Sequence, residues 1–243
     1  MPANVLLRRA VANELHAENG HYFAWTDRLD KPRGSVTKLM VSTPQGILAR
    51  SVNYNGHALS ADERRQEDER INRLLDPANM KEKQRKQHDD QQRIERLLAA
   101  MPDGLLCDYA PAADEHTLRL ECSPNPRYSP PNYESQMLLA MRATILIDRQ
   151  QQRIASLHAT LIHDVGFGWG FVGKLNRGGH LELEQVKVGG DHWRIARMHL
   201  TFEGRLLLLK PLHIEETESA WEYRPVPAMG VPQAIDYLRN AGK

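Results

Sequence analysis

His180, Glu182 and His199 are the residues whose types most invite chemistry, because two imidazoles and a carboxylate are donors that zinc and copper accept. They meet only if the chain between them folds back. Gly189-Gly190 suits a two-residue primed turn, and placing Val188 opposite Asp191 sets His180 across from His199 on the face that carries Glu182. The chemical reading is a metal-dependent enzyme, and the plainer reading is a solvated polar face, since the sequence offers no fourth ligand or supporting partner. His158 and His163 differ by an odd number, so they fall on opposite faces of an unbroken strand. The chain has no His-Glu-x-x-His helix, no Gly-x-Ser-x-Gly elbow and no Cys-x-x-Cys. No catalytic residue and no cofactor is therefore expected.

A second chemical pattern lies between Asp164 and Leu175. Gly168, Gly170 and Gly173 have dinucleotide-loop spacing, and Gly168 to Lys174 matches most of a phosphate loop. Leu175 stands where a serine or threonine must follow the lysine, and Gly178-Gly179 breaks any helix that starts there. The next element is a strand from His180, so no helix N-terminus would face a phosphate. Read with a period of two, Phe167, Trp169 and Phe171 share one face while the intervening glycines bare the backbone on the other. Such a stripe serves close packing or, as the functional alternative, a lipid-contacting wall.

The elements that must position these residues are strands. The register that opposes the two histidines also sets Leu181 across from Met198, Leu183 across from Ala196, Val186 across from Trp193 and Glu182 across from Arg197. Apolar side chains meet, and opposite charges meet. A turn at Glu203-Gly204 would then set Phe202 beside Arg205, Leu200 beside Leu207 and Met198 beside Leu209, extending one apolar face of a broad antiparallel sheet. Upstream, the strands Leu105 to Tyr109 and Thr117 to Cys122 fit a register with Ala112 opposite Thr117, which puts Cys107 opposite Cys122. A cross-strand pair has the Cβ separation a disulfide needs, with two buried thiols as the alternative. A bridge would favour an exported protein.

Further elements follow from periodicity and caps. Leu7, Val11 and Leu15 predict an amphipathic helix over Asn4 to Glu18, followed by strands over His21 to Asp30 and Ser35 to Asn55. Ser60 and Glu63 form a capping box for a helix that buries Ile71, Leu74 and Leu75, and Asp76-Pro77 opens another that runs towards Met101. Lys81 to Gln92 carries no apolar stripe, whereas Ile94, Leu97, Leu98 and Met101 restore one. This charged insertion, about 58–103, reads as a solvated arm or as a docking arm for a protein partner. Short helices are expected near Glu134 to Ala140 and Pro232 to Asn240.

Composition bounds the function. At 243 residues, 41% hydrophobic and 26% charged, the chain is an ordinary globular sequence expected to form a single domain over 1–243 with that insertion. A net charge of +1 gives no general attraction to nucleic acid. No apolar run is long enough to span a bilayer, and the first residues lack the apolar core of a secretion signal, as in a cytosolic protein or a processed one.

The order of elements, with Ala143 to Asp148, Arg153 to Leu157, Asp164 to Leu175 and Gly204 to Lys210, resembles the periplasmic lipoprotein carriers and outer-membrane lipoprotein-sorting proteins (LolA/LolB-like). The resemblance implies an α+β fold: a curved antiparallel sheet, or half-barrel, with covering helices, here with a charged helical insertion. It implies a periplasmic or secreted protein that takes a lipid acyl chain or a lipidated protein without catalysis. The candidate wall residues are Phe167, Trp169, Phe171, Met198, Leu200, Phe202, Leu207 and Leu209, which need not share one face of the sheet.

Overall fold

The computed structural model describes residues 1–16, 20–111, 114–167, 173–206 and 210–241. The side chain of Phe167 lies outside this set. Among the described residues the chain is α+β, with thirteen strands in one antiparallel sheet. In chain order the elements are α1 (Ala3–His16), β1 (Tyr22–Lys31), β2 (Gly34–Thr43), β3 (Gly46–Tyr54), β4 (His57–Ala58), α2 (Ala61–Asn72) and α3 (Pro77–Gly104). There follow β5 (Leu105–Ala110), β6 (Thr117–Pro124), α4 (Tyr133–Gln136), β7 (Met141–Asp148), β8 (Ile154–Leu161), β9 (Val165–Phe167) and β10 (Gly173–Leu175). The chain ends with β11 (His180–Lys187), β12 (Trp193–Leu206), β13 (Lys210–Val226) and α5 (Val231–Ala241).

These elements form two compact units, one of Met1–Ala17 with Arg93–Glu216, the other of Glu18–Gln92 with Thr217–Lys243. In the first, the strand order runs from the start of β13 through β12, β11, β8, β7 and β6 to β5. α1 forms because its apolar residues recur every three or four positions, and it buries Leu6, Leu7, Ala10 and Val11. Against them pack Leu105, Leu120, Ile145, Ile147 and Leu161, which alternate along their strands with more exposed residues. Cys107 pairs with Cys122 and is joined to it by a disulfide across a Cα separation of 4.1 Å.

In the second unit the order is β4, β3, β2, β1 and the end of β13. Its core joins Ala24, Val41 and Leu48 to Ile71, Met80 and the apolar face of α5, Ala234, Ile235 and Leu238. Ser60 caps α2: its hydroxyl accepts from the Glu63 amide at 3.3 Å, and its own amide donates to the Glu63 carboxylate at 2.7 Å. Asp76 accepts the Ala78 amide at 2.8 Å at the start of α3. Leu75 and Ile94, expected on buried faces, are instead exposed, because the turn of 3₁₀ helix at Arg73–Leu75 rotates the end of that segment and, beyond the buried Met80, the apolar stripe of α3 resumes only at Leu97.

Two expected registers are corrected. The Gly189-Gly190 hairpin closes with the Val188 amide donating to the His192 carbonyl at 2.9 Å, so Asp191 joins the loop. Gly189 and Gly190 take φ +125° and +51°, conformations that glycine tolerates. An irregularity between Glu184 and Gln185 adds a further shift. Leu181 consequently pairs with Leu200, Leu183 with Met198, Glu184 with Arg197 and Lys187 with Trp193. Nor does the chain turn at Glu203-Gly204: β12 runs straight through it, and β10 lies alongside. A Cβ on Gly204 would sit 2.0 Å from the Lys174 carbonyl oxygen, so glycine here admits a neighbouring backbone rather than a turn.

Candidate functional site

The first unit presents two contrasting faces at β11 and β12. On one, the pairs Leu181–Leu200 and Leu183–Met198 continue the apolar rows that begin with Cys107–Cys122 and run through Ala143, Ala159 and Leu157. α1 packs chiefly over β5 and β8, and burial falls from the fully enclosed Ile145 and Leu105 to the half-buried Leu181, Leu183, Met198 and Leu200. Leu181, Leu183 and Leu200 touch the core cluster, and Phe202 belongs to it. The apolar surface thus extends beyond the cover the helix supplies.

On the opposite face Glu182 lies between His158 and His199, with Thr144 beyond His158. His158 Nδ1 stands 3.7 Å from the Glu182 carboxylate, and the rings of His180 and His199 are 5.2 Å apart across a diagonal. The register places Thr201 opposite His180, so the two histidines expected to face each other directly do not. The Thr201 hydroxyl is 3.2 Å from His199 Nε2. Among the described residues, no three histidine, cysteine, aspartate or glutamate side chains stand in an arrangement that could hold a metal ion.

Trp169, Phe171, Leu207 and Leu209 lie outside the described residues, as does the Phe167 side chain, although its backbone pairs with Gly173. The expected wall therefore reduces to Met198, Leu200 and Phe202, joined by Leu181 and Leu183.

A network that spacing alone did not reveal holds α1 against this region. The Arg153 guanidinium donates to both Glu14 oxygens at 2.9 and 2.8 Å, the Ile154 amide donates to Glu14 at 2.8 Å, and the Gln185 amide reaches Glu14 at 3.2 Å. Both charged side chains are about nine-tenths buried. The signal in the sequence was weak: a glutamate two turns beyond the buried leucines of a helix, with its partner more than a hundred residues away.

The charged arm also has a local use. At the outer edge of β3, Gln87 accepts the Ile47 amide at 3.2 Å and donates to its carbonyl at 3.0 Å. Arg70 donates to the Ala49 carbonyl at 2.6 Å, and the buried Glu67 accepts the Ser51 amide at 2.5 Å. Burial alone would raise the Glu67 carboxyl, yet the bonds from Arg70 and Ser51 hold it below the ordinary glutamate range. Polar side chains of α2 and α3 thus occupy an edge where another strand could add.

Comparison with protein-family models and with curated proteins finds no match. Among solved structures, the chain is similar to the following one. It is a crystal structure of a domain assigned to outer-membrane lipoprotein sorting in Vibrio parahaemolyticus, with 96% of each chain covered. The identity is 10% and the TM-score 0.33, values too low to transfer a role.

Proposed function

We propose that the chain binds a lipid acyl chain, free or carried on a lipidated protein, without catalysis, on the apolar face of β11 and β12. The observation that supports this is the run of half-buried side chains, Leu181, Leu183, Met198 and Leu200, continuous with the core yet past the main cover of α1. Removing ten methylenes from water there would contribute about 8 kcal/mol before the costs of association. The Cys107–Cys122 disulfide fits an oxidising compartment such as the periplasm. No described helix is long and apolar enough to cross a membrane, as suits a carrier that takes lipid from a surface without spanning it.

Met198→Glu combined with Leu200→Glu tests the reading. Uptake of a fluorescent fatty acid should be lost, at least tenfold in affinity, while the circular dichroism stays that of the parent chain. Unchanged uptake by the folded double variant would remove this face from consideration.

A further inference from the structure

The β1–β2 hairpin of the second unit ends in a feature that the lipid-binding reading does not use. Leu29 pairs with Val36 and Lys31 with Gly34, so these four share one face of the ribbon, and Pro32 and Arg33 make the turn beyond them. Beside the turn stands Asn55, just past the end of β3. Its backbone amide donates to the Ser35 carbonyl at 2.9 Å, and its side-chain oxygen accepts the Ser35 amide at 2.8 Å. Asn55 takes φ +51°, a left-handed conformation that asparagine enters more readily than most side chains. A Cβ on Gly34 would collide with the Asn55 side-chain oxygen, so glycine there leaves the space that the amide group occupies.

Together these residues border an open cavity of about 260 Å³, lined by Leu29, Lys31, Arg33, Gly34, Val36 and Asn55. Its floor is the apolar pair Leu29 and Val36. Its rim bears donors: the Lys31 ammonium, the Arg33 guanidinium and the Asn55 side-chain NH₂, whose oxygen is already committed to Ser35. Among the described residues no acidic side chain lines it. The neighbouring acids are engaged elsewhere. Asp30 alternates onto the other face, where the Arg28 Nε donates to its two oxygens at 3.0 and 2.9 Å. Glu218, opposite Leu29 on β13, is bonded to Asp27.

We infer that this cavity binds a small amphiphilic anion, a carboxylate or phosphate joined to a short apolar chain. Arg33 presents a planar fork to two oxygens of the head, Asn55 donates to the same group, and Lys31 adds a second positive charge. The tail covers Leu29 and Val36 and removes them from water. A bare anion leaves that floor wet, and an uncharged chain leaves the donors unanswered, so the joined ligand is selected over either half. The cavity lies wholly within the second unit and shares no residue with the apolar face of β11 and β12.

Titration calorimetry of the intact chain with hexanoate is the test. Saturable binding is expected, at least tenfold tighter than that of acetate, which lacks the tail, or of hexanol, which lacks the charge. Asn55→Asp keeps the oxygen that accepts the Ser35 amide and puts a negative oxygen where the donor was, so it should weaken binding at least tenfold while the circular dichroism stays that of the parent chain. Arg33→Ala, at an exposed turn position, should weaken it as much and serves as the variant that must stay folded. Val36→Thr, which keeps the shape and loses the apolar surface, should bring hexanoate towards acetate. No saturable heat with hexanoate, equal binding of acetate, or undiminished binding by folded Arg33→Ala would each overturn the proposal. Dihexanoyl phosphatidylglycerol, used as monomers, separates the sources. Tighter binding than hexanoate that is lost in Arg33→Ala assigns the site to a lipid headgroup, and equal or weaker binding assigns it to a free carboxylate. Met198→Glu with Leu200→Glu should leave hexanoate binding unchanged; its loss there would place hexanoate on the first unit and overturn this site alone.

Discussion

Asp27 shows how one side chain can set a pH dependence. It is 5% exposed on β1, with Lys38 opposite it on β2 and the Glu218 carboxyl of β13 beside it, and one of its oxygens lacks a hydrogen-bond partner. Burial first, then the repulsion and hydrogen bond of Glu218, raise its carboxyl to about 7 against the pull of Lys38. The folded chain therefore keeps a proton that the unfolded chain loses near pH 4. Wherever the native state binds the extra proton, stability falls with rising pH, so the stabilisation present below about pH 4 is lost between there and about pH 7. The loss is on the order of a few kcal/mol. Urea unfolding at pH 4.5 and pH 8 should show this decline, and Asp27→Asn should flatten it; an equally steep decline in the variant would exonerate Asp27. At the other buried charge pair the direction is simpler. Arg153→Met leaves Glu14 buried without its forked donor and should cost about 3 to 5 kcal/mol in the same measurement.

At the scale of elements, the sheet is protected by side chains where strands run out. At β5 the Asn4 side chain of α1 donates to the Leu105 carbonyl at 2.7 Å and accepts the Cys107 amide at 2.9 Å. At β3 the same task falls to Gln87, Arg70 and Glu67. Gln87→Ala should cost about 1 kcal/mol and speed hydrogen exchange at the Ile47 amide, with the Val41 amide much less affected. Replacing both cysteines by serine should cost about 3 kcal/mol, as expected for opening a loop of this length. The same elements show what the sequence disclosed. Alternation and turn residues located β1 to β3, β5, β6 and β11, the Ser60–Glu63 box located α2, and the register that sets Ala112 opposite Thr117 opposed Cys107 to Cys122. The β11–β12 register escaped because it depends on which residues enter the Gly189-Gly190 loop and on an irregularity at Glu184, and neither leaves a compositional mark. Edge capping escaped because a polar side chain that bonds a distant backbone looks, in sequence, like one that faces water.

At the scale of the whole chain, neither unit is continuous in sequence. The first needs α1 in addition to residues 93–216, and the second needs its final segment from residue 217. Removing α5 should uncover Ala24, Val41 and Leu48 and make the second unit the first to be cut in limited proteolysis, while the disulfide-bonded β5–β6 hairpin of the first stays protected. Early cleavage in the first unit instead would show that α5 supports more than its own core. β1 pairs along its length with β13, Tyr22 with Val226 at one end and Asp30 with Thr217 at the other. Close to two hundred residues are therefore made after β1 before its second neighbour exists, which at ribosomal rates takes roughly 10 to 40 s. Throughout that interval one flank of β1 carries unanswered amides and carbonyls on a nascent chain, so the time at which this protein most needs a guardian is fixed by the sequence distance between two paired strands.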